Sequence, residues 1–418
     1  MVISASVDYI NARVIEANRD KIWAKVALIT CLVVNLGLLM IFKYSGFFYE
    51  NINALFGLHL KLPSFGLPIG ISFYTFQTIS YVLDVYRGEV KAQKSYMKFM
   101  LFVSLYHQLV AGPIVRYVHI AHEIDNRKVD INDISEGINR FCIGLFKKVF
   151  FANVAGQLVK QYLDSDLSTL SVSAGWFGLL MFTIQIYFDF SGYSDMAIGL
   201  GRMFGFHYHE NFNYPYTATS TTDFWRKWHI SLSTFFRDYV YIPMGGNRKR
   251  QVLNLFVVWF LTGFWHGASW NYIFWGLYFG LLIWFERMFL AKFFSFIPRI
   301  FSHTYALFAV IVSWGIFYFT DATRLKSFFN IIFGFSGHKL WDFEVGLVMQ
   351  SHIFWIVAAI ICCLPVARYF KPKIHNILNP PQITAMNYAH IALNIGLLFV
   401  STALLVGKSY NPFLYFRF

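Results

Sequence analysis

Long runs without Asp, Glu, Lys or Arg recur along the whole 418-residue chain. Most are close to the roughly 20 residues that a helix needs to span the hydrocarbon core of a bilayer. With shorter or amphipathic helices between them, the pattern predicts an all-α, polytopic membrane protein of about eleven helices. The uncharged runs cover residues 26–42, 62–83, 99–115, 167–188, 252–285, 301–320, 345–367 and 387–407.

One uncharged run, residues 252–285, is too long for a single span. As one helix it would measure about 51 Å at 1.5 Å per residue, against a hydrocarbon core of roughly 30 Å. Its weakest helical stretch is Gly267-Ala-Ser-Trp-Asn271, so we expect a break there. Broken backbone at membrane depth needs protein or a wet cavity to supply hydrogen bonds. His266, next to the break, is therefore expected beside such a cavity.

Two further apolar runs are interrupted by polar residues. Asp189-Phe-Ser-Gly-Tyr-Ser-Asp195 places two carboxylates directly after an apolar run, and Gly112-Pro113 interrupts the run from His107 to Arg116. Proline breaks or kinks a helix, and ionisable residues inside a membrane are candidates for function. The three interruptions together predict broken or re-entrant segments around one polar centre, a central tunnel.

Two other segments carry local helix signals. Asp133-Ile-Ser-Glu136 has the pattern of a capping box that starts a helix through Lys147 to Ala155. Residues 322–333 mix polar and apolar faces and are expected to lie along the membrane interface. The sequence contains no repeat, no low-complexity tract and no soluble domain, so residues 1–418 are predicted to form one domain.

The composition supports lipid as the solvent of this chain. Hydrophobic residues make up 57% and aromatic residues 20%, and only 14% are charged, against about 25% in soluble domains. The net charge of +13 comes from basic residues clustered between apolar runs, which indicates membrane topology and anionic lipid rather than nucleic acid. An anionic substrate such as a coenzyme is the alternative explanation of the positive charge.

We expect no cleavable signal peptide. The four cysteines show no CxxC spacing that would predict a disulfide framework or zinc site.

The residues alone leave two readings of His266 open. Gly263 and Gly267, four apart, form a small face that lets helices pack closely, and His266 would then be a neutral core histidine bonded to a neighbour such as Thr262. The other reading is a functional imidazole in a polar cavity.

The segment 221–250 is unlike a spanning helix because it mixes charged residues with aromatic ones. Thr222 or Asp223 is expected to cap a helix, on which Trp225, Trp228 and His229 would share one face. This could be an interfacial helix with an aromatic belt. Alternatively, His229 lies on the buried face, as a second polar group near the reaction centre.

Several common sites are not indicated by the sequence. There is no P-loop and no GxSxG elbow. His207 and His209 are expected to point to opposite sides of a loop, because no third ligand lies nearby in sequence. We therefore predict no metal site.

Several stretches, spread in order over nearly the whole chain, closely resemble the membrane-bound O-acyltransferase family. The resemblance is greatest to the bacterial branch that O-acetylates secreted polysaccharides, alginate or peptidoglycan, and the stretch YIPMGGNR favours this branch over teichoic-acid D-alanylation. Alginate-type members usually carry additional hydrophobic sequence before the segment that matches residues 7–21, so a short member or a shortened form is expected here. The stretches are PIGISFYTFQTISYVLDVYRG, QLVAGPIVR, YFDFSGYSDMAIGLGRMFGF, NFNYPY, FWRKWHISLSTFFRDYVYIPMGGNR, GFWHGASWNYIFWGLYFG and the terminal NPFLYFRF.

The resemblance implies roles for individual residues. The invariant histidine of the family falls on His266, and its second signature residue, asparagine or histidine, falls on His229. Asp195 matches an acidic position of the polysaccharide branch and is expected to bind substrate. Four neighbours of these positions in sequence are also predicted to contact substrate: Trp265, Asn271, Trp225 and Arg237.

The resemblance also implies a reaction. An acetyl group would pass from a thioester such as acetyl-coenzyme A, with no bound cofactor, to a secreted or cell-wall polysaccharide, directly or through an extracytoplasmic partner transferase. His266 would act as general base or carry the acyl group briefly, and the enzyme would lie in the bacterial inner membrane. The alternatives are D-alanyl transfer from a carrier protein and a transporter without bond chemistry.

Overall fold

The computed structural model of the chain describes residues 1–61, 63, 65–110, 112–366, 368–369, 380–407 and 413–414. Every regular element among them is helical, which confirms the all-α prediction. Most of the terminal stretch 411–418 and of the basic cluster 368–373 lies outside the described residues. The α-helices are α1 (Val2–Ala17), α2 (Ile22–Leu39), α3 (Ser45–Phe56), α4 (Ile71–Arg87), α5 (Tyr96–Ser104), α6 (Tyr106–Leu109), α7 (Tyr117–Asn126), α8 (Ile131–Phe146), α9 (Asn153–Leu163), α10 (Val172–Met203), α11 (Thr221–Trp225), α12 (Ile230–Phe236), α13 (Gln251–His266), α14 (Trp270–Phe285), α15 (Ala291–Phe296), α16 (Arg299–Tyr318), α17 (Ala322–Ile332), α18 (Phe343–Ser351), α19 (Ile353–Cys362) and α20 (Pro380–Leu405).

Five helical stretches of the described chain are long and apolar enough to cross a membrane, and α18 and α19, bent by 65°, give a sixth if they form one span. Short helices also form where the apolar runs are interrupted, so the helices outnumber the eleven or so expected from sequence. The fold is that of a multi-pass membrane protein. The five stretches are Ile22–Phe56, Ile131–Leu163, Trp270–Leu290, Arg299–Tyr318 and Thr384–Leu405.

The chain divides into two compact units. The first consists of Met1–Ile138, Ala197–Glu210 and Ser231–Gly276. Its core is built by α1, α2 and α4, which pack on one another. Inside this core, the Asn35 side chain donates two hydrogen bonds to the Asp8 carboxylate (2.7 and 2.9 Å) and accepts one from the Ser4 hydroxyl. The hydrogen bonds compensate the burial of these polar groups.

The second unit consists of Asn139–Met196, Asn211–Ile230 and Leu277–Phe418. Here the chain from α8 to α9 runs beside α10, and Gly144 and Gly192 allow the two backbones to approach closely. Phe224 and Trp228 pack against Trp314 of α16 in an aromatic core. Every one of these rings is almost fully buried, so their packing fixes the segment between α11 and α12.

Two of the three predicted interruptions are confirmed. The run 252–285 is divided between α13, which ends at His266, and α14, which begins at Trp270. The run around Gly112-Pro113 leaves the helix after Leu109. The third prediction is wrong, because α10 continues as one 32-residue helix through both Asp189 and Asp195.

The predicted helix caps are shifted by a few residues. The helix expected to start with Asp133 begins at Ile131, and the amide of Asp133 donates to the Asp130 carboxylate at 2.8 Å. The helix expected to be capped by Thr222 or Asp223 is capped by Ser220, whose hydroxyl accepts from the Asp223 amide at 2.9 Å. In both places a short polar side chain occurs just upstream of the predicted cap and satisfies the first amides instead.

Candidate active site

His266 is the last residue of α13, at the break in the long apolar run. The next residue, Gly267, is fully extended, and α14 starts three residues later. The side chain is buried, with 8% of its surface exposed. Its ring lies edge-on to two tryptophans, with centroids 5.0 Å from Trp265 and 4.9 Å from Trp275. The break thus presents an imidazole in an aromatic setting rather than to bulk water.

Close packing of α13 against α14 fixes the position of the break. A Cβ on Gly263 would overlap the backbone of Tyr272, and a Cβ on Gly276 would overlap the carbonyl of Trp259. Pairing of 263 with 272 and of 259 with 276 describes an antiparallel hairpin of helices. A Cβ on Gly267 would meet the Tyr272 ring. The small-residue packing predicted for Gly263 and Gly267 is therefore present, and it coexists with the buried imidazole.

Thr262, which the sequence suggested as a partner of His266, makes a different bond. Its hydroxyl donates to the carbonyl of Val258 at 2.8 Å, one turn back on the same helix. Trp265 is fixed by α4: its indole N–H points to the Ser72 carbonyl at 3.4 Å, and its ring lies against Phe76. The Thr262 hydroxyl therefore bonds within its own helix, and Trp265 is held by α4 as well as lying against His266.

Two residues that the sequence analysis did not select hold the end of α13. The Lys43 ammonium donates to the carbonyl of Trp265 at 2.6 Å and lies 3.4 Å from that of His266. The Tyr44 hydroxyl donates to the carbonyl of Phe264 at 2.7 Å. The last carbonyls of a helix have no partner within the helix, so these contacts fill that need. The available signal was a lysine directly after an uncharged run, which usually indicates a side chain reaching the membrane surface.

Asn271 is also in the first unit, buried in the first turn of α14. Arg237, at 60% exposure of its side chain, pairs with Asp238 at 2.6 Å. Asp238 also accepts from Arg116 at 2.9 Å. Burial raises the pKa of Asp238, but the two guanidinium groups outweigh burial and lower this pKa below its ordinary value. Substrate contacts of Asn271 and Arg237 stay predictions.

His229, in the second unit, is fully buried and adopts left-handed backbone geometry, with φ of +43°. The predicted helical face shared with Trp225 and Trp228 is wrong, because α11 ends at Trp225 and α12 starts only at Ile230. All three side chains are nevertheless buried, which agrees with the buried reading of this segment. Glu286 helps to hold this segment in place. Its carboxylate accepts hydrogen bonds from the amides of Thr221 and Thr222, at the start of α11.

A hydrogen-bonded chain holds the ring of His229. The Asn211 side chain donates to the Ser194 hydroxyl at 3.1 Å, so its carbonyl oxygen faces Nδ1 of His229 at 3.2 Å. Burial lowers the pKa of His229 to about 3, which keeps the ring neutral. The bond between Nδ1 of His229 and the Asn211 side chain therefore helps to orient a neutral ring.

Asp195 and Asp189 are held by cations from the helix beside α10. Asp195 accepts from Arg140 at 2.7 Å and from Lys147 at 2.6 Å. Asp189 pairs with Lys148 and accepts from the Leu414 amide at 2.8 Å. These contacts hold helices together, and a substrate-binding role for Asp195 stays a prediction.

The histidines considered as metal ligands make other contacts. His207 binds the carboxylates of Glu123 at 2.8 Å and Asp133 at 3.1 Å. The His209 ring lies 4.4 Å from that of His119. In the described part of the chain, no group of three or more His, Cys, Asp or Glu side chains has the arrangement of a metal site.

Comparison with known proteins places this chain in a family. The sequence model of the membrane-bound O-acyltransferase family matches residues 87–329. The chain is 38% identical to a probable alginate O-acetylase of Pseudomonas putida, over 92% of this chain and 83% of that protein. It is 31% identical to a peptidoglycan O-acetyltransferase of Helicobacter pylori, over 100% and 87%. A teichoic acid D-alanyltransferase of Bacillus subtilis matches at 29% over 51% and 58%.

The matched region contains the hairpin of α13 and α14 with His266, and the buried segment with His229. More than half of the chain fits the family, and the relatives extend the match over nearly its whole length. The chain is therefore an acyltransferase and belongs to the membrane-bound O-acyltransferase family.

Proposed function

We propose that this enzyme transfers an acetyl group from a thioester donor to a hydroxyl of a secreted or cell-wall polysaccharide, with His266 as general base. The observation that carries the proposal is the buried imidazole at the interrupted end of α13, between Trp265 and Trp275. Histidine has the unperturbed pKa best suited to accept and return a proton near neutral pH.

The reaction would exchange a thioester for an oxygen ester. The imidazole takes the proton of the acceptor hydroxyl while the hydroxyl oxygen attacks the carbonyl carbon of the thioester. The tetrahedral oxyanion then collapses, the C–S bond breaks, and the thiolate leaves as a thiol with the proton from the imidazolium. Alternatively His266 carries the acetyl group itself before passing it on.

His229 is proposed as a second catalytic residue, because it is a fully buried, neutral imidazole within the region that matches the family. The oxyanion would be stabilised by a donor such as the Trp265 indole or a backbone amide at the break.

The donor, acceptor and location are proposed from chemistry and from the relatives. Acetyl-coenzyme A or another acyl thioester would enter from the cytoplasmic face of the inner membrane, where basic loops such as Arg248-Lys249-Arg250 would attract it. The acetyl group would reach a sugar hydroxyl outside, or the serine of an extracytoplasmic partner transferase, through a tunnel. Relatives named for alginate and peptidoglycan acetylation support this acceptor class. D-alanyl transfer has weaker support, since that relative matches only about half of the chain.

Replacing His266 tests the proposal. We expect His266→Ala to reduce acetylation of envelope and secreted glycans to background, because the variant lacks the imidazole that is proposed as the base. Mass analysis of glycans from cells that express the variant measures this. His390→Ala is the matched control, since His390 also lies in an apolar helix, α20, but is exposed.

Protein level and thermal unfolding of His266→Ala in detergent should match the parent chain. Full glycan acetylation by a folded His266→Ala enzyme would refute the central assignment. Competition between acetyl-coenzyme A and a D-alanyl carrier protein in vesicles separates the two donors: loss of acetyl transfer only with the carrier present would favour D-alanylation.

A further inference from the structure

Lys43 and Tyr44 follow α2 in the chain. Their side chains contact the end of α13, the helix that carries His266. Both belong to a π-helical turn, Met40–Tyr44, that follows α2 within the membrane-crossing stretch Ile22–Phe56. Such turns insert an extra residue into a helix and often occur at functional sites.

The two side chains together cover three successive carbonyls of α13. Tyr44 binds the carbonyl of Phe264, and Lys43 binds that of Trp265 and lies near that of His266. Lys43 also donates to the Ser72 hydroxyl at 3.1 Å, which ties the cation to α4. The bonds to the α13 carbonyls join residues at least 220 positions apart in sequence, so they are tertiary contacts and not local caps.

The environment of Lys43 argues against a merely lipid-facing role. A lysine within a membrane-crossing stretch is costly and therefore marks a functional position. A side chain that served only the membrane surface would extend towards water, whereas this ammonium is half-buried and points at helix carbonyls. The C-terminal end of a helix carries partial negative charge, which a cation stabilises.

The Tyr44 ring adds a rigid contact to the same helix end. It stacks on Phe264 with centroids 4.1 Å apart and planes 14° from parallel. Phe264 is two residues before His266, on the same final turn of α13. Hydrogen bonds and stacking therefore hold this turn from one side, while Tyr272 packs against Gly263 and Gly267 from α14.

We propose that Lys43 and Tyr44 are positioning residues that fix the last turn of α13 so that the His266 imidazole is aimed at the reacting groups. The inference rests on the proposed function of His266, because it concerns the orientation of that base. Neither residue is assigned a contact with substrate. A base displaced by about 1 Å can lose on the order of 100-fold in rate.

The test compares Lys43→Met, Lys43→Arg and Tyr44→Phe in purified enzyme, with labelled acetyl-coenzyme A and a soluble acceptor oligosaccharide. We expect kcat per folded molecule to fall about 10- to 100-fold in Lys43→Met, with KM for acetyl-coenzyme A changed less than about twofold. Lys43→Arg keeps the charge and donors and should recover part of kcat. Tyr44→Phe loses one bond and keeps the stacking, so we expect a fall of a few fold.

Matched controls separate positioning from folding. Lys25→Met removes an exposed lysine of α2 in the same part of the chain and should leave kcat unchanged. In Lys43→Ala, added ethylammonium should restore part of kcat, whereas tetramethylammonium, which has no N–H, should not. Rescue of this kind would not occur if Lys43 acted only by stabilising the fold.

The outcomes also separate this inference from the proposed function. If His266→Ala is inactive and Lys43→Met has the kcat of the parent enzyme, the positioning role is refuted and the base survives. A loss in Lys43→Met that is fully explained by a smaller folded fraction also refutes positioning. If His266→Ala is active, the proposed function itself fails.

Discussion

The hairpin of α13 and α14 and the long helix α10 were expected to break for similar reasons, and only the hairpin does. The hairpin carries no charged residue over 34 positions, yet the helix ends at His266. α10 contains Asp189 and Asp195 with serine and glycine between them, and it remains helical over 32 residues. The density of polar side chains is therefore a poor guide to where a helix in this protein is interrupted.

The difference lies in which groups need a partner. In α10 the side chains need partners, and Lys148, Lys147 and Arg140 supply them without disturbing the backbone. In the hairpin the backbone itself leaves the helix, and its freed carbonyls need donors. Lys43 and Tyr44 supply those. A cation from a neighbouring helix thus serves a side chain in one region and a helix end in the other.

Removing the cation beside Asp189 should have the largest effect on stability. Lys148→Met takes away the charge that pairs with a nearly fully buried carboxylate, and breaking a buried ion pair in this way costs about 3–5 kcal/mol. Lys147→Met is the control and should cost less, because Asp195 keeps Arg140. Chemical unfolding in detergent measures both variants.

The double variant Lys148→Met, Asp189→Leu should recover most of that loss, since no uncompensated charge is left. Equal stabilities of Lys148→Met and Lys147→Met would show that the buried pair is not what keeps α10 whole.

Enlarging a glycine at the hairpin should have a smaller effect. Gly263→Ala places a methyl group against the backbone of Tyr272, and overpacking of this kind costs about 1–3 kcal/mol. Gly37→Ala in α2 is the control, because a Cβ there meets nothing within 4 Å, and alanine favours a helix by up to about 1 kcal/mol. Thermal unfolding of the two variants should shift in opposite directions, and a neutral Gly263→Ala would contradict the tight hairpin.

The smallest effect is expected just beyond the exposed end of α10. Glu123, and then Asp133, raise the pKa of His207. The stability from this charged histidine is fully present below the unfolded pKa of about 6.5 and is lost as pH rises through the higher folded pKa. The side chain is 49% exposed, so solvent screening limits the contribution to about 0.5 kcal/mol.

The unfolding temperatures of the parent chain and His207→Gln should therefore differ slightly at pH 5.5 and converge as pH rises through the raised folded pKa. His122→Gln, at an exposed histidine of α7, controls for the effect of replacing a surface histidine by glutamine. A difference that grows with pH would mean that the carboxylates do not stabilise the charged form of His207.

Part of the candidate site could be predicted and part could not. The break after His266 follows from the length of an uncharged run, because a helix longer than the bilayer core must end or bend. The true caps Asp130 and Ser220 were missed because several short polar side chains compete for the same amides within a few residues. His229 was expected on a helical face, and a helical repeat does not reveal that its backbone is left-handed.

The sequence by itself determined that this chain is a helical membrane protein and that one histidine stands beside an interrupted span. Both conclusions depend on hydrophobic runs measured against the thickness of a bilayer, a property of local composition. Only the tertiary structure decided that α10 stays continuous and that Lys43 and Tyr44 hold the end of α13. Those outcomes depend on which distant residues meet, and the bonds of Lys43 to Trp265 cross 222 positions of sequence.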